Sequence, residues 1–308
     1  VSEWVDILLA PYDAAMRLRS SAALVAVVLT AASLAACSAK NNSASDAGDS
    51  PSAGGTASAS AASCAPADLH LYDAGKLTIA TDSPAYAPWF KKNDPSNGQG
   101  FESAVAYAVA KQLGFTADQV NWTKESFNSS YTPGAKKFDF DINQISITPD
   151  RAKVVTFSDG YYTADQAVIT LAKNKDKASS LAGLKDLKLG AETATTSLTA
   201  IRDDVQPSSQ PLVFDTDDQA KQALLHGQID GLVTDLPSAD YISSEIKGSV
   251  VAGRFSNSEP EEFGLLFEKN NPLVTCVNTA LATLKSNGTL DQLQQQWLAN
   301  MESVPVLK

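Results

Sequence analysis

Residues 138–154, FDFDINQISITPDRAKV, decide the architecture. Phe138, Phe140 and Ile142 alternate with Asp139, Asp141 and Asn143, and that period of two predicts a β-strand. Shortly after, Thr148-Pro149-Asp150-Arg151 has the form of a helix start, with threonine as the cap and proline in the first turn. Strand feeding helix is the unit of an α/β fold. Upstream, Lys76 to Thr81 (KLTIAT) reads as another strand, broken by Asp82, Ser83 and Pro84. Gly100 then precedes Phe101, Val105, Ala108, Val109 and Leu113, whose three- and four-residue spacing predicts one apolar helix face closed by Gly114. Downstream, a strand Leu187 to Ala191 runs into Thr195-Thr196-Ser197, and a helix Asp217 to Leu225 precedes a strand Ile229 to Val233. Two terminal helices, with apolar stripes Leu273, Val277, Leu281, Leu284 and then Leu290, Leu293, Trp297, are expected to pack back on the first half.

The 308 residues are enough for one large domain or two lobes with a sizeable core. A hydrophobic fraction of 44% with 19% charged residues excludes a polytopic membrane protein. The net charge of −11 argues against a nucleic-acid partner, because a phosphate-binding surface needs the opposite field. Two histidines and three cysteines form no zinc or redox spacing, so neither a metal nor a cofactor is expected.

Met16 to Lys40 places Arg17 and Arg19 before an apolar run of Ala, Leu and Val that ends in small residues at Cys37. This is the pattern of a secretory signal, and Leu34-Ala35-Ala36-Cys37 resembles a bacterial lipobox, in which the cysteine is lipidated. An uncleaved anchor is the alternative. Residues 1–36 are thus read as an upstream extension and signal peptide, with a credible start at Met16. Residues 37–67 are read as the lipidated cysteine and a Ser/Ala/Gly tether too polar to offset its own ordering entropy. Export permits a disulfide. With Cys37 carrying lipid, Cys64 and Cys276 remain, and the reading is a bridge between them or two free buried thiols.

Three places in the body carry chemistry. Arg151 sits in a first helical turn, where the helix dipole disfavours a cation, so it calls for a compensating anion: a bound carboxylate, or a neighbouring Asp at the surface. The stretch Ala191 to Ser197 brings Thr195 and Thr196 to a helix start, as anion donors or as simple caps. Asp235 comes after a strand, at the end where open α/β sheets collect ligands, and there it pairs with an ammonium or caps the next segment. A positive group facing a negative one suits a zwitterion.

Leu77 to Asp82, Tyr86 to Phe90 (YAPWF), Gly100-Phe101-Glu102, Ser146 to Arg151 (SITPDR), Phe157 to Tyr162, Gly190 with Thr195-Thr196, and Ile229-Asp230 with Asp235 together resemble one family. It is that of the amino-acid-binding extracellular solute-binding proteins of ABC importers, family 3. The resemblance implies a two-lobed, periplasmic-binding-protein-like clamshell of type II, an α/β fold with two crossing hinge strands. Lobe 1 would comprise 68–167 and 256–308, and lobe 2 168–255. Arg151 would grip the ligand α-carboxylate, with Thr195 and Thr196 facing it from the other lobe, and Ser146 and Asp235 would take the α-ammonium. Tyr86, Trp89 and Phe127 would line the side-chain pocket, and Asp82 would reach the side chain itself. Asn143 and Gln144 stand where relatives carry small residues and Asp141 where they carry an aliphatic one, which favours a ligand with a polar end, an amide or a basic group. Ala194 replaces a common glycine. The implied protein is a monomer, lipid-anchored on the outer face of the cell membrane, that delivers a free amino acid to an ABC-transporter permease. The alternative is a cyclohexadienyl dehydratase-like enzyme on the same fold, for which Glu102 or Glu192 would supply the acid.

Overall fold

The computed structural model describes residues 63–308 apart from 259, 299 and 300. The signal segment, the lipidation cysteine Cys37 and most of the tether lie outside the described residues. In chain order the first half contains β1 (Leu77–Thr81), α1 (Phe101–Gln112), β2 (Val120–Lys124), α2 (Phe127–Ser130), β3 (Phe140–Asp141), α3 (Pro149–Val154) and β4 (Thr156–Ala164). Next come β5 (Gln166–Leu171), α4 (Leu181–Leu184), β6 (Leu189–Glu192), α5 (Thr196–Ala200), β7 (Leu212–Phe214) and α6 (Asp217–Leu225). The chain continues through β8 (Gly231–Asp235), α7 (Leu236–Glu245), β9 (Ser249–Phe255), β10 (Glu261–Phe267), α8 (Leu273–Ser286) and α9 (Thr289–Leu298).

The strands form two sheets, β2-β1-β3-β10-β4 and β7-β6-β8-β5-β9. In the first, β1 runs parallel to β2 and β3 while β10 is antiparallel to β3 and β4. In the second, β6 is parallel to β7 and β8, and β5 is antiparallel to β8 and β9. The chain crosses between sheets twice, from β4 to β5 at Asp165 and from β9 to β10 between Phe255 and Glu261. Asp165 accepts from Ser256 Oγ at 2.7 Å and pairs with Arg254, which ties the two crossings together.

Each lobe buries its own core. All five residues of β1 are buried, and the predicted face of α1 (Phe101, Val105, Val109, Leu113) packs with α8 and α9 on the first sheet. Burying such side chains contributes about 1.5–3 kcal/mol each. The start of α1 approaches the preceding loop so closely that a Cβ on Gly100, at φ +100°, would lie 2.4 Å from the carbonyl of Trp89. As expected from the sequence, Thr148 caps α3, its Oγ1 accepting from the Arg151 amide at 3.2 Å.

Two expectations need correction. The alternation over 138–143 does not separate a core face from a solvent face, because Phe138 to Asn143 are all buried and β3 is central in its sheet. The two aspartates find partners: Asp139 accepts from the amides of Tyr72 and Thr78, both at 2.7 Å, and Asp141 accepts from Ser130 Oγ. The lobe boundaries also differ from 68–167 with 256–308. Residues 166–167 already belong to β5 of the second sheet, and the C-terminal segment returns to that sheet rather than staying with lobe 1. The Arg254 amide donates to the Pro305 carbonyl at 2.8 Å, the Leu307 amide donates to the Arg254 carbonyl at 2.7 Å, and Leu307 enters the second core. The cause is an open edge: among the described residues β9 has no strand neighbour beyond β5, the apolar tail covers it, and Gly253 leaves room for Leu307.

Cys64 is bonded to Cys276 on α8, so of the two alternatives for these cysteines the bridge is the one present. The bond closes a loop with a sequence separation of 212, for which chain entropy gives up to about 5 kcal/mol. The double variant Cys64→Ser/Cys276→Ser is expected to lower the melting temperature by roughly 5–15 °C in thermal melts. An unchanged temperature would show that the bridge does not stabilise this body.

Asp141 gives a second prediction. Burial pushes its carboxyl up to about 8, with the charges of Glu102, Glu125 and Asp82 adding to the effect. A carboxyl that holds its proton more tightly when folded favours folding at low pH, and this contribution is lost as pH rises from about 4 towards 8. Asp141→Asn, neutral throughout, is expected to raise the melting temperature by several degrees at pH 8 and to leave it nearly unchanged at pH 4. Equal shifts at both pH values would rule out charge burial as the cause.

Candidate functional site

A cavity of about 400 Å³ lies between the lobes, where the carboxyl ends of parallel strands from both sheets point toward each other. From the first lobe come the loop after β1, from Asp82 to Phe90, the start of α2, and Asn143, Gln144 and Ser146 beyond β3. From the second come Glu192 at the end of β6, Thr195 to Ser197 at the start of α5, Asp215 to Asp218 at α6, and Asp235 at the end of β8.

Arg151 stands beside this cavity rather than in its lining. The residue is 8% exposed, and its guanidinium donates to the Ser146 carbonyl of the first lobe and the Ala194 carbonyl of the second, both at 2.9 Å. The rings of Tyr131 and Phe127 face it, at 4.8 and 5.4 Å from their centroids. Burial draws its pKa below the ordinary value, opposed by Tyr131, Glu261 and Asp235. The surface Asp alternative is not what compensates this cation, since Asp150 pairs with Lys153 at 2.6 Å. Ala194, which presents one of the two carbonyls, sits at φ +58°, a left-handed conformation that costs a residue with a Cβ about 1 kcal/mol or more.

Most of the other predicted residues line the cavity, though several already have protein partners. Thr195 is a cap, its Oγ1 accepting from the Leu198 amide at 3.1 Å. Thr196 Oγ1 and Ser146 Oγ both reach Glu261. Asp82 accepts from the Ser83 amide at 2.5 Å and the Phe127 amide at 3.1 Å, and Asp235 accepts from Gln166 Nε2 at 3.1 Å. Tyr86 donates to Asp218, and Trp89 Nε1 donates to Ser238 Oγ at 2.9 Å, so these two aromatic residues bridge the lobes. Trp89 is only 1% exposed and packs edge-on against Tyr162, which makes it an anchor more than a pocket wall. Gln144, at φ +49°, donates its backbone amide at 2.8 Å and one side-chain N–H to the buried Glu102. Asn143 Nδ2 has no partner among the described residues and is a free donor in the lining.

Sequence reasoning missed most of the acidic wall. Asp215, Asp217 and Asp218 belong to a stretch that reads only as the start of a helix, and Glu192 enters that reading only as an enzyme's acid. The run Asp215-Thr216-Asp217-Asp218 is the available signal. Asp217 donates its amide to Glu192 at 3.0 Å, which sets the two carboxyls side by side. Burial, reinforced at Glu192 by the Asp217 charge, pushes Glu192 up to about 8 and Asp217 to about 6. Burial also raises Asp235 well above the carboxylate range, helped by Glu261 and Asp217. Against six lining carboxyls stands Lys221, itself paired with Asp218 at 2.8 Å and with Glu245 at 2.9 Å. Such a wall attracts cations.

Residues 77–300 match the model of the bacterial extracellular solute-binding proteins, family 3. The arginine-binding extracellular protein of Bacillus subtilis (strain 168) is 29% identical over 237 residues, 72% of this chain and 86% of that protein. The ABC transporter arginine-binding protein 1 of Escherichia coli (strain K12) is 28% identical over 223 residues, 70% of this chain and 88% of its own. Among solved structures, an ancestral amino-acid-binding protein described as a precursor of cyclohexadienyl dehydratase is 33% identical with a TM-score of 0.60, covering 72% of this chain and 95% of that one. An ancestral arginine-binding protein bound to glutamine gives 29% and 0.61, covering 72% and 97%. The two sheets, the double crossing and the cavity between them are the two-lobed architecture of such proteins, and this chain belongs to the bacterial extracellular solute-binding proteins of family 3.

Proposed function

We propose that this chain is an extracytoplasmic lipoprotein, anchored through Cys37, that binds a free amino acid with a basic side chain and hands it to the permease of an ABC importer. The observation that carries the reading is the charge of the cavity: Asp82, Glu192, Asp215, Asp217, Asp218 and Asp235 line it, and the one lysine among its lining residues is already paired. A cation entering this space replaces repulsion among carboxyls with attraction. Two relatives named for arginine binding point the same way. In this reading the α-ammonium meets Asp235, the α-carboxylate meets N–H groups of Arg151 left over from its two carbonyl bonds, and the side-chain cation lies toward Glu192 and Asp217.

Transport rests on closure. Arg151 with Ala194, Trp89 with Ser238 and Tyr86 with Asp218 join residues of opposite lobes, so these contacts exist only when the lobes are shut. A guest that touches both lobes stabilises that state over the open one, and a permease that reads the closed form thereby reads occupancy. A dehydratase would rely instead on Glu192 as proton donor, its carboxyl pushed up to about 8 by burial and the Asp217 charge, whereas Glu102 is buried outside the cavity lining. Turnover of prephenate or arogenate by the purified body would favour that enzyme.

A thermal-shift screen of the standard amino acids is expected to give its largest response with arginine or lysine, and a response confined to acidic or apolar ligands would overturn the reading. A bound cation lowers the carboxyls beside it, so binding expels protons and strengthens as pH rises from about 6 to 8. Calorimetry with L-arginine in buffers of different ionisation heat is expected to show that release and a roughly three- to tenfold gain in affinity. Uptake of protons on binding would contradict it. Arg151→Ala is expected to weaken binding by roughly tenfold to a hundredfold or more while the protein stays folded by circular dichroism.

A further inference from the structure

We propose that Glu261 is a positioning residue for the ligand site: it consumes the hydroxyl protons of Ser146 and Thr196, so that both side chains meet the guest as hydrogen-bond acceptors and serve its ammonium group. This rests on the reading that the cavity takes an amino acid.

Glu261 opens β10 directly after the second crossing and is 6% exposed. Its Oε1 accepts from Ser146 Oγ and from Thr196 Oγ1, each at 2.5 Å. Its Oε2 accepts from Gln166 Nε2 at 2.8 Å and from Asn257 Nδ2 at 2.6 Å. Four donors thus fill the acceptor capacity of one carboxylate, which has no proton to return. Ser146 belongs to the first lobe, Thr196 to the second, Gln166 to the start of β5 just after the first crossing and Asn257 to the second crossing, so the junction forms only when all four segments meet.

Ser146 Oγ and Thr196 Oγ1 lie 3.2 Å apart, and each hydroxyl owns one hydrogen. Either both donate to Glu261, or one donates to the other, which donates to Glu261. In every arrangement both hydrogens stay inside the triangle and only lone pairs are turned toward the cavity. Lone pairs accept from an ammonium and repel a carboxylate. Ser146, Thr196 and the neighbouring Asp235 all line the cavity, and Gln166 Nε2 reaches both Asp235 and Glu261, which places the three groups in one corner. Three acceptors there match the three N–H bonds of an α-ammonium. The role expected for Thr196 from the sequence, to hold the α-carboxylate, is thereby reversed for its side chain.

Two measurements test this. The first titrates the protein and its Glu261→Gln variant with L-arginine and with 5-guanidinopentanoate, which keeps the carboxylate and guanidinium and lacks the ammonium. The amide introduced by this substitution has one acceptor oxygen in place of two, so it cannot accept from the two hydroxyls and from the NH₂ groups of Gln166 and Asn257 together, and the junction that fixes the hydroxyl protons is weakened. E261Q is expected to bind L-arginine about tenfold more weakly or worse and the analogue within about threefold of the unsubstituted protein. Equal weakening of both would mark Glu261 as a structural staple and overturn the proposal. The second measurement is neutron diffraction from ligand-free crystals of the unsubstituted protein, which needs neither a known ligand nor a folded variant. Deuterons on Ser146 and Thr196 lying within the Glu261 triangle support the proposal; either one directed into the cavity overturns it. Should the protein bind no amino acid at all, the functional reading fails, while the neutron map still decides the role of Glu261.

Discussion

Like charges shut into a small cavity repel one another with little water to screen them, and a lining with six carboxyls and one lysine has to answer that repulsion wherever it closes. The structure answers it locally. Asp82 takes two backbone amides, Asp218 takes Lys221 and Tyr86, and Glu261 beneath the lining takes four donors. Glu192, Asp217 and Asp235 are left with fewer partners, and burial pushes all three upward. These three are the groups that gain most from a positively charged guest.

Arg151 illustrates the same constraint with the sign reversed. A buried guanidinium needs acceptors, and here two backbone carbonyls and two aromatic faces supply them. Because the carbonyls come from different lobes, solvating the cation and closing the molecule are one event. Ala194 holds its carbonyl toward Arg151 from a left-handed conformation, so the contact is maintained against a local backbone preference. The contacts between the lobes are therefore distributed over Arg151, Trp89, Tyr86 and the Glu261 junction.

Much of the frame is legible in the amino-acid sequence. The bounds expected for the helix Asp217 to Leu225 are those of α6, the buried face of α1 is the one its spacing predicts, and Thr148 is the cap its place before Pro149 suggests. These signals are local: periodicity, capping and proline placement act within a few residues and are printed in the chain. The candidate residues named from contiguous stretches of sequence, among them Tyr86, Asn143, Ser146, Thr196 and Asp235, lie in the cavity lining for the same reason. The alternation over 138–143 announces a strand but not its burial, because a central strand covered on both sides can bury aspartates that find amide or hydroxyl partners.

By itself the sequence determined element types, the order that makes two α/β lobes, the candidate cation Arg151 and the candidate anion Asp235. Tertiary structure alone decided which groups share a space. Glu261 is separated by 115 positions from Ser146 and by 65 from Thr196, and no pattern in the chain announces that the three form one triangle. Glu192 and Asp217 come to repel each other only after β6 and α6 pack together, and the tail from Val304 onward joins the second lobe only because β9 leaves an edge open. Hydrogen bonding and charge depend on distance through space, and that distance is fixed by the packing of segments far apart in the chain.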